Sequence, residues 1–234
     1  MEDFVQNLSR YLFVGRELNV YAVLDGASVN NLQTSLHILH PEYACLYRGE
    51  LKPDMAQVAP YLVRLEPGSQ FTDWVAVDGW GKHWGVFLRS TDQLAAVRRH
   101  LRSLLVVHDP DGQPLKFRFY DPRVMRVFLP TCNAEQLASF FGPIDSFLLE
   151  DESGNTLVRF RLLNGVLKQE RRTFTTETQE NLEVERARRE LLRQELQPSE
   201  EEEVEMTEEE LQQSLVDFWT TVQNYKPPKK RTKE

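Results

Sequence analysis

The sequence predicts an α/β fold: a mixed β-sheet flanked by helices, followed by a smaller, mostly helical C-terminal lobe. Three observations support this prediction. Between Leu104 and Val124, two apolar-rich runs flank a turn, and the second run leads directly into a helical pattern. A strand, a helix and a second strand follow one another between Leu18 and Tyr47. After Gly165, the composition shifts to charged residues with sparse leucines.

The segment Leu104–Val124 predicts a β-hairpin whose second strand leads directly into a helix. Its two runs, Leu104–His108 and Leu115–Tyr120, are separated by a turn sequence that begins Asp109-Pro110-Asp111-Gly112. The second run alternates apolar and charged residues, as a half-buried strand does. Asp121 then suits the N-cap of a helix and Pro122 its first turn. Apolar residues follow at helical spacing at Met125, Phe128 and Leu129.

The segment from Leu18 to Tyr47 predicts one crossover unit, in which a helix connects two strands. Residues 4–16 form an amphipathic pattern, and Leu18–Leu24 is a mostly apolar run typical of a buried strand. Ser28 can cap a helix that ends before Pro41, and Tyr43–Tyr47 follows as a second strand. A strand, helix and strand in this order favour parallel strands.

Further elements follow in the middle of the chain. Leu51–Ala59 reads as a loop, Tyr61–Leu65 as a strand, Phe71–Val77 as a short helix and Trp84–Leu88 as a strand. A helix then begins after Ser90-Thr91, with an apolar side and a basic side. The apolar side carries Leu94, Val97, Leu101 and Leu104, and the basic side carries Arg98, Arg99 and Arg102.

The predicted fold closes with a capped helix and a hairpin. Asn133 can cap a helix over Ala134–Phe141, which ends at Gly142-Pro143. Ile144–Leu149 and Thr156–Leu162 then predict a hairpin.

The composition divides the chain into three parts. Residues 1–165 form the predicted α/β domain, 166–226 a helical C-terminal lobe with an acidic linker, and 227–234 a basic disordered tail. Within the lobe, Glu177–Leu196 is a charged helix with Glu and Arg four residues apart, and Pro198–Glu205 is the acidic break.

Charge and composition exclude several functional classes. The formal net charge of −8 argues against nucleic-acid binding as the main function, which needs clustered Lys and Arg. The N-terminus lacks the apolar stretch of a secretory signal, and no apolar run approaches the length of a membrane span. We therefore expect a cytoplasmic protein without membrane contact, in which Cys45 and Cys132 stay reduced.

The search for catalytic or metal-binding patterns predicts no catalytic residue, no cofactor and no metal. Gly79-Trp80-Gly81-Lys82 does not have the spacing of a phosphate-binding loop, and no nucleophile-elbow motif occurs. His37, His40 and Cys45 lack the further ligands of a zinc site. We interpret Tyr120, Asp121, Pro122 and Arg123 as structural, with a cap and an ion pair that pins helix to sheet.

Partner binding is predicted from a C-terminal helix and a tryptophan. A capping box at Thr207-x-x-Glu210 opens a helix with one apolar face, formed by Leu211, Leu215, Phe218, Trp219 and Val222. This face either folds back onto the core of the same chain or enters a groove of a partner. Trp74, Trp80 and Trp84 cluster in the sequence. Core packing suits each of them singly, and Trp80 is our candidate for an exposed binding anchor.

The ordered motifs between Tyr61 and Asp151 resemble the type VI secretion adaptor proteins called Tap or TEC. The matching pieces are YLVRLEPG at 61–68, WGVFLRSTDQLAAVRRHLRSLLVVHDPDGQPLKFRFYDPRVMRVFLP at 84–130, and NAEQLASFFGPIDSFLLED at 133–151. The resemblance implies a cytoplasmic, non-enzymatic adaptor. Such a protein binds a cognate effector and loads it onto the spike protein VgrG. No catalytic residue is carried over.

Two alternatives remain open from the residues alone. One is a small hydrolase or transferase that uses Asp121, Arg123 and a histidine, which needs one of His83, His100 or His108 close to Asp121. The other is a nucleic-acid binder that uses the basic helix side and the tail, and the negative net charge makes it the weaker alternative.

The C-terminal helix generates the first testable prediction. Replacing Phe218 and Trp219 by Ala removes the two largest apolar side chains of its face, so binding of the effector or of VgrG should weaken at least about tenfold. Affinity measured beside a thermal unfolding curve separates this effect from a loss of folding. Unchanged binding together with unchanged stability would place the interface elsewhere.

Overall fold

A computed structural model describes residues 4–14, 17–108 and 111–195. Nine strands are present in this part of the chain: β1 Asn19–Asp25, β2 Tyr43–Cys45, β3 Pro60–Leu65, β4 Gly85–Ser90, β5 Val106–His108, β6 Pro114–Lys116, β7 Ile144–Glu150, β8 Thr156–Leu163 and β9 Val166–Thr173. Its α-helices are α1 Phe4–Leu12, α2 Leu32–Leu39, α3 Pro53–Gln57, α4 Gln70–Trp74, α5 Leu94–Ser103, α6 Pro122–Phe128, α7 Ala134–Phe141 and α8 Thr176–Glu195. A π-helical turn, Val75–Gly79, continues α4.

Seven of these strands form one sheet in the order β2-β3-β1-β4-β7-β8-β9. The predicted class, α/β with helices against a sheet and a helical C-terminal part, is confirmed. The sheet is not mixed, however, because all its described strand pairs are antiparallel. β1 and β2 do run in the same direction, as the crossover prediction requires. β3 lies between them and pairs antiparallel with both.

The hairpin predicted at the centre of the sheet is a separate two-stranded ribbon, β5-β6. The chain leaves the strand conformation after Lys116, and the backbone N–H of Phe117 closes the ribbon base by donating to the Leu105 carbonyl at 2.9 Å. Leu115 on the ribbon is 50% exposed, whereas Phe119 is fully buried in the core. The predicted alternation of apolar and charged strand residues up to Tyr120 is therefore wrong, because Phe119 reaches the core from a loop.

β9 shows that the sheet extends beyond the predicted domain boundary at residue 165. It pairs with β8 along its whole length, from Thr173 opposite Thr156 to Val166 opposite Leu163. Its side chains are almost all exposed, so no alternation of apolar residues marked it as a strand. The predicted loop before β3 also contains a short helix, α3.

One face of the sheet packs against α5, α6 and α7. Its buried side chains include Tyr21, Val23, Leu88, Phe147, Leu149 and Phe160 from the strands, and Leu101, Met125 and Phe140 from the helices. Phe140 is in ring contact with Phe147 at 5.3 Å and with Phe119 at 6.2 Å between centroids. Each such side chain contributes about 1.5–3 kcal/mol when fully buried.

The other face of the sheet is covered by an aromatic cluster that includes Trp80. Consecutive strand residues point to opposite faces, so Phe87 lies on the side away from Leu88. The Trp80 ring stacks on Phe87 at 6.4 Å and contacts Phe4 of α1 at 5.9 Å and Phe174 at 5.4 Å.

The chain divides into two compact units, Met1–Leu182 and Glu183–Glu234. Within the second unit, the predicted pairing of Glu185 with Arg189 in α8 is confirmed at 3.3 Å. The predicted linker, capping box and tail lie outside the described residues.

Glu150, the last residue of β7, binds the turn between the π-helical segment and β4. Its buried carboxylate accepts hydrogen bonds from the backbone N–H of Gly81 and, at 2.7 Å, from that of His83. The imidazole Nδ1 of His83 lies 2.5 Å from the same carboxylate. Burial raises the pKa of Glu150, and these donors and the charge of His83 oppose the rise.

Replacing Glu150 by Gln should destabilise the protein by about 1–3 kcal/mol. An amide offers one acceptor oxygen and turns its NH2 group toward donors, so a buried N–H loses its partner. Urea denaturation of Glu150→Gln checks this value. Glu152→Gln, which changes an exposed glutamate in the same region, is the matched control. Equal unfolding midpoints for the two variants would contradict the role assigned to Glu150.

Candidate functional site

The Tyr120-Asp121-Pro122-Arg123 motif lies at the start of α6. Tyr120, Asp121 and Pro122 are buried, whereas the side chain of Arg123 is 57% exposed. The Asp121 carboxylate accepts a hydrogen bond from the backbone N–H of Arg123 at 2.9 Å, and Pro122 occupies the first turn. The predicted N-cap is therefore confirmed.

Asp121 also binds the guanidinium of Arg123 through both carboxylate oxygens, at 3.0 and 2.8 Å. Burial raises the pKa of Asp121, but the hydrogen bonds and charge of Arg123 outweigh it, so the pKa lies below its usual range. The ion pair was expected to pin the helix to the sheet. It instead joins two residues of the same helical turn, so it stabilises the start of α6 locally.

The link from this segment to the sheet is an ion pair between Arg118 and Asp25. Asp25 is the last residue of β1 and is 2% exposed. Its carboxylate accepts from the Ala27 N–H at 3.2 Å, the Ser28 hydroxyl at 2.7 Å and the Arg118 guanidinium. Since a buried carboxylate needs such partners, Arg118 holds the segment before α6 against the end of β1.

Tyr120 packs beside this ion pair. The Arg118 guanidinium stands over its ring at 5.8 Å. Burial raises the pKa of Tyr120 well above its ordinary value. The phenol is therefore neutral at physiological pH and acts as a packing group.

The described histidines do not assemble a catalytic group with Asp121. His83 faces Glu150, and the Nε2 atom of His100 lies 2.9 Å from the carbonyl oxygen of Phe140. His37 and His40 lie beside each other on and after α2, and the side chain of His108 is outside the described part. The geometry required for the hydrolase or transferase alternative is thus missing among the described histidines.

The cavity that described residues form beside Glu150 is too small for a substrate. The cavity beside its carboxylate measures about 10 Å³ and is lined by Trp80, Trp84 and Gly85, among others. This volume holds about one water molecule. Within the described residues, no three His, Cys, Asp or Glu side chains are grouped so that they could hold a metal ion.

The structure corrects the prediction that Trp80 is an exposed anchor. Trp80 is 2% exposed, and its indole N–H donates to the Gly154 carbonyl at 2.5 Å. Trp74 is buried, and the half-buried Trp84 packs against it at 4.9 Å between ring centroids. All three tryptophans thus take part in packing contacts. The other predicted partner-binding residues, 211–222, lie outside the described residues.

Asp121 generates a prediction that separates its capping role from its charge. Asn caps helices about as well as Asp, so Asp121→Asn removes only the pair with Arg123. We expect a loss of at most about 1 kcal/mol at pH 7, because that arginine is largely exposed. The folded-state pKa of Asp121 is depressed, so its charge contributes stability above the unfolded-state pKa of about 3.9. That contribution disappears as the pH falls through the folded-state pKa.

Urea denaturation at a series of pH values measures this difference between the wild type and Asp121→Asn. The exposed Asp54 provides the control variant Asp54→Asn, for which little change is expected at any pH. A difference between wild type and Asp121→Asn that stays constant down to low pH would show that the charge pair is not its cause.

Among the described residues, no helix has both the length and the apolar character needed to cross a membrane. No curated protein and no solved structure matches the chain. A family model described as "Domain of unknown function (DUF4123)" matches residues 20–139, from β1 into α7. The match begins earlier than the motifs identified from the sequence and contains the Tyr120–Arg123 motif. It covers just over half of the 234 residues, so the chain belongs to the DUF4123 family, known as the type VI secretion effector adaptor (Tap or TEC) family.

Proposed function

We propose that this protein is a cytoplasmic adaptor and chaperone that binds a cognate type VI secretion effector and loads it onto the VgrG spike. Family membership over residues 20–139 is the observation that carries the proposal. We further propose that it acts by binding alone and catalyses no reaction.

The roles of the polar residues in the matched region support an adaptor. The most recognisable motif of the region uses Asp121 to cap α6 and to pair with Arg123. Arg118 is held by Asp25 at the end of β1. The first contact stabilises the start of α6, and the second holds the segment before α6 against the end of β1. They provide a stable frame for surfaces that bind other proteins.

The hydrolase or transferase alternative receives no comparable support. It requires a general base next to Asp121, and the only groups that hydrogen-bond this carboxylate in the described part belong to Arg123. A binding role explains the same residues without an additional chemical step.

Co-purification tests the proposed function. The tagged full-length chain is produced together with the effector encoded beside it and with a C-terminal segment of VgrG. We expect the effector to remain bound through size-exclusion chromatography at micromolar concentration and to join the VgrG segment in one complex.

Clean separation of all three proteins at that concentration would contradict the adaptor function. Asp121→Asn serves as the control here. It should leave the complex intact, since Asp121 stabilises the fold locally. Turnover of a small metabolite that is lost in Asp121→Asn would instead favour the enzymatic alternative.

A further inference from the structure

Four arginines form a positively charged patch beside the edge strand β2. We call this set the arginine patch: Arg48, Arg98, Arg99 and Arg102. Three of them lie on α5 outside its buried stripe of Leu94, Val97 and Leu101, and Arg48 follows β2 in the chain. Arg48 and Arg99 are exposed, whereas Arg98 and Arg102 are half-buried. In the described part of the chain, none of the four forms an ion pair with an Asp or Glu.

The two half-buried arginines are held by backbone carbonyls at the end of β2. Arg98 donates from Nε to the Cys45 carbonyl at 2.9 Å, and Arg102 donates from Nε to the Leu46 carbonyl at 2.9 Å. Arg102 also donates to the Tyr47 carbonyl. These bonds satisfy acceptors that an edge strand leaves without a neighbouring strand. They also fix two of the four guanidinium groups, so this half of the patch is ordered before anything binds to it.

Within the described residues, the charge of the patch is nevertheless not neutralised. A backbone carbonyl supplies a dipole, not a negative charge, so all four positive charges remain. The pKa of Arg102 is lowered by burial and then by the charges of Arg98 and Arg48, which is consistent with their proximity. Elsewhere in the described chain, arginines such as Arg64, Arg118 and Arg159 have acidic partners. The patch is therefore a local excess of positive charge on a chain of net charge −8.

We infer that the arginine patch binds an acidic segment of a partner protein. The inference rests on the proposed adaptor function and names the surface and the partner chemistry that this function would use. Guanidinium groups bind carboxylates through paired hydrogen bonds, and Arg48 and Arg99 have donors available for this contact.

Charge also distinguishes this occupant from two others. A nucleic acid is held by a longer run of basic contacts than these four arginines provide on a chain of net charge −8, whereas a short acidic segment needs only the patch itself. A second copy of the chain that used the same patch would place like charges opposite each other.

The experiment measures binding of a fluorescent oligoglutamate peptide to the full chain by fluorescence anisotropy. The test variant is Arg48→Glu with Arg99→Glu, which leaves the two carbonyl-bound arginines in place. The control variant is Lys168→Glu with Arg172→Glu, which changes the net charge equally on β9, where both side chains are exposed. Thermal unfolding verifies that both variants fold.

We expect the patch variant to bind the peptide about tenfold or more weakly and the control variant to change its affinity by less than about twofold. Binding by the wild type should weaken as the salt concentration rises.

An equal loss in both variants, or no binding by the wild type, would overturn the inference. Tighter binding of a single-stranded oligonucleotide than of the peptide would assign the patch to nucleic acid. Self-association that only the patch variant loses would assign it to a second copy. Either result would also overturn the inference.

Capture of the effector by the wild type, measured in parallel, separates this inference from the proposed function. If the effector is captured but the peptide is not bound, the arginine patch is ruled out as an acidic-segment site while the adaptor function stands. If the peptide is bound but the effector and VgrG are not, the adaptor function fails, and so does the partner class that rests on it.

Discussion

The requirement to cover both faces of one sheet determines most of this structure. Phe147 and Leu148 are consecutive residues of β7, point to opposite faces and are both fully buried. Each face therefore needs its own layer. α5, α6 and α7 provide one layer, and α1 with Trp80 and Phe174 contributes to the other. The long segments between the strands are needed to supply these layers.

The same requirement explains why polar groups lie where strands end. When both faces of a sheet are apolar, charges can be accommodated at the ends of its strands and along its edges. Asp25 ends β1 and Glu150 ends β7, and each accepts hydrogen bonds from a loop that crosses that end of the sheet. In this chain, Arg118 thus anchors the segment before the Tyr120–Arg123 motif to the end of β1.

Local signals in the sequence were sufficient for much of the fold. α7 has its predicted limits, and its capping box of Asn133 and Gln136 is present. The role of Asp121 was also predictable, because a cap depends on residues only two or three positions apart. Features that depend on distant partners were missed. β9 is a strand because β8 pairs with it, and Arg118 and Asp25 are separated by ninety-three positions. The prediction that Trp80 is exposed is wrong for the same reason, since its burial depends on Phe4 and Phe174.

β9 is the last strand of the sheet in the described part of the chain, and this position has a consequence for self-association. An edge strand of this length can act as a template for intermolecular sheet growth. In the full antiparallel register with another β9, Gln169 pairs with Glu170, which places Lys168 opposite Arg171. That contact is repulsive, so it disfavours edge-to-edge pairing of two molecules in this register. The charged side chains of β9, which leave it without an alternation of apolar residues, thus also disfavour the growth of fibres from this edge.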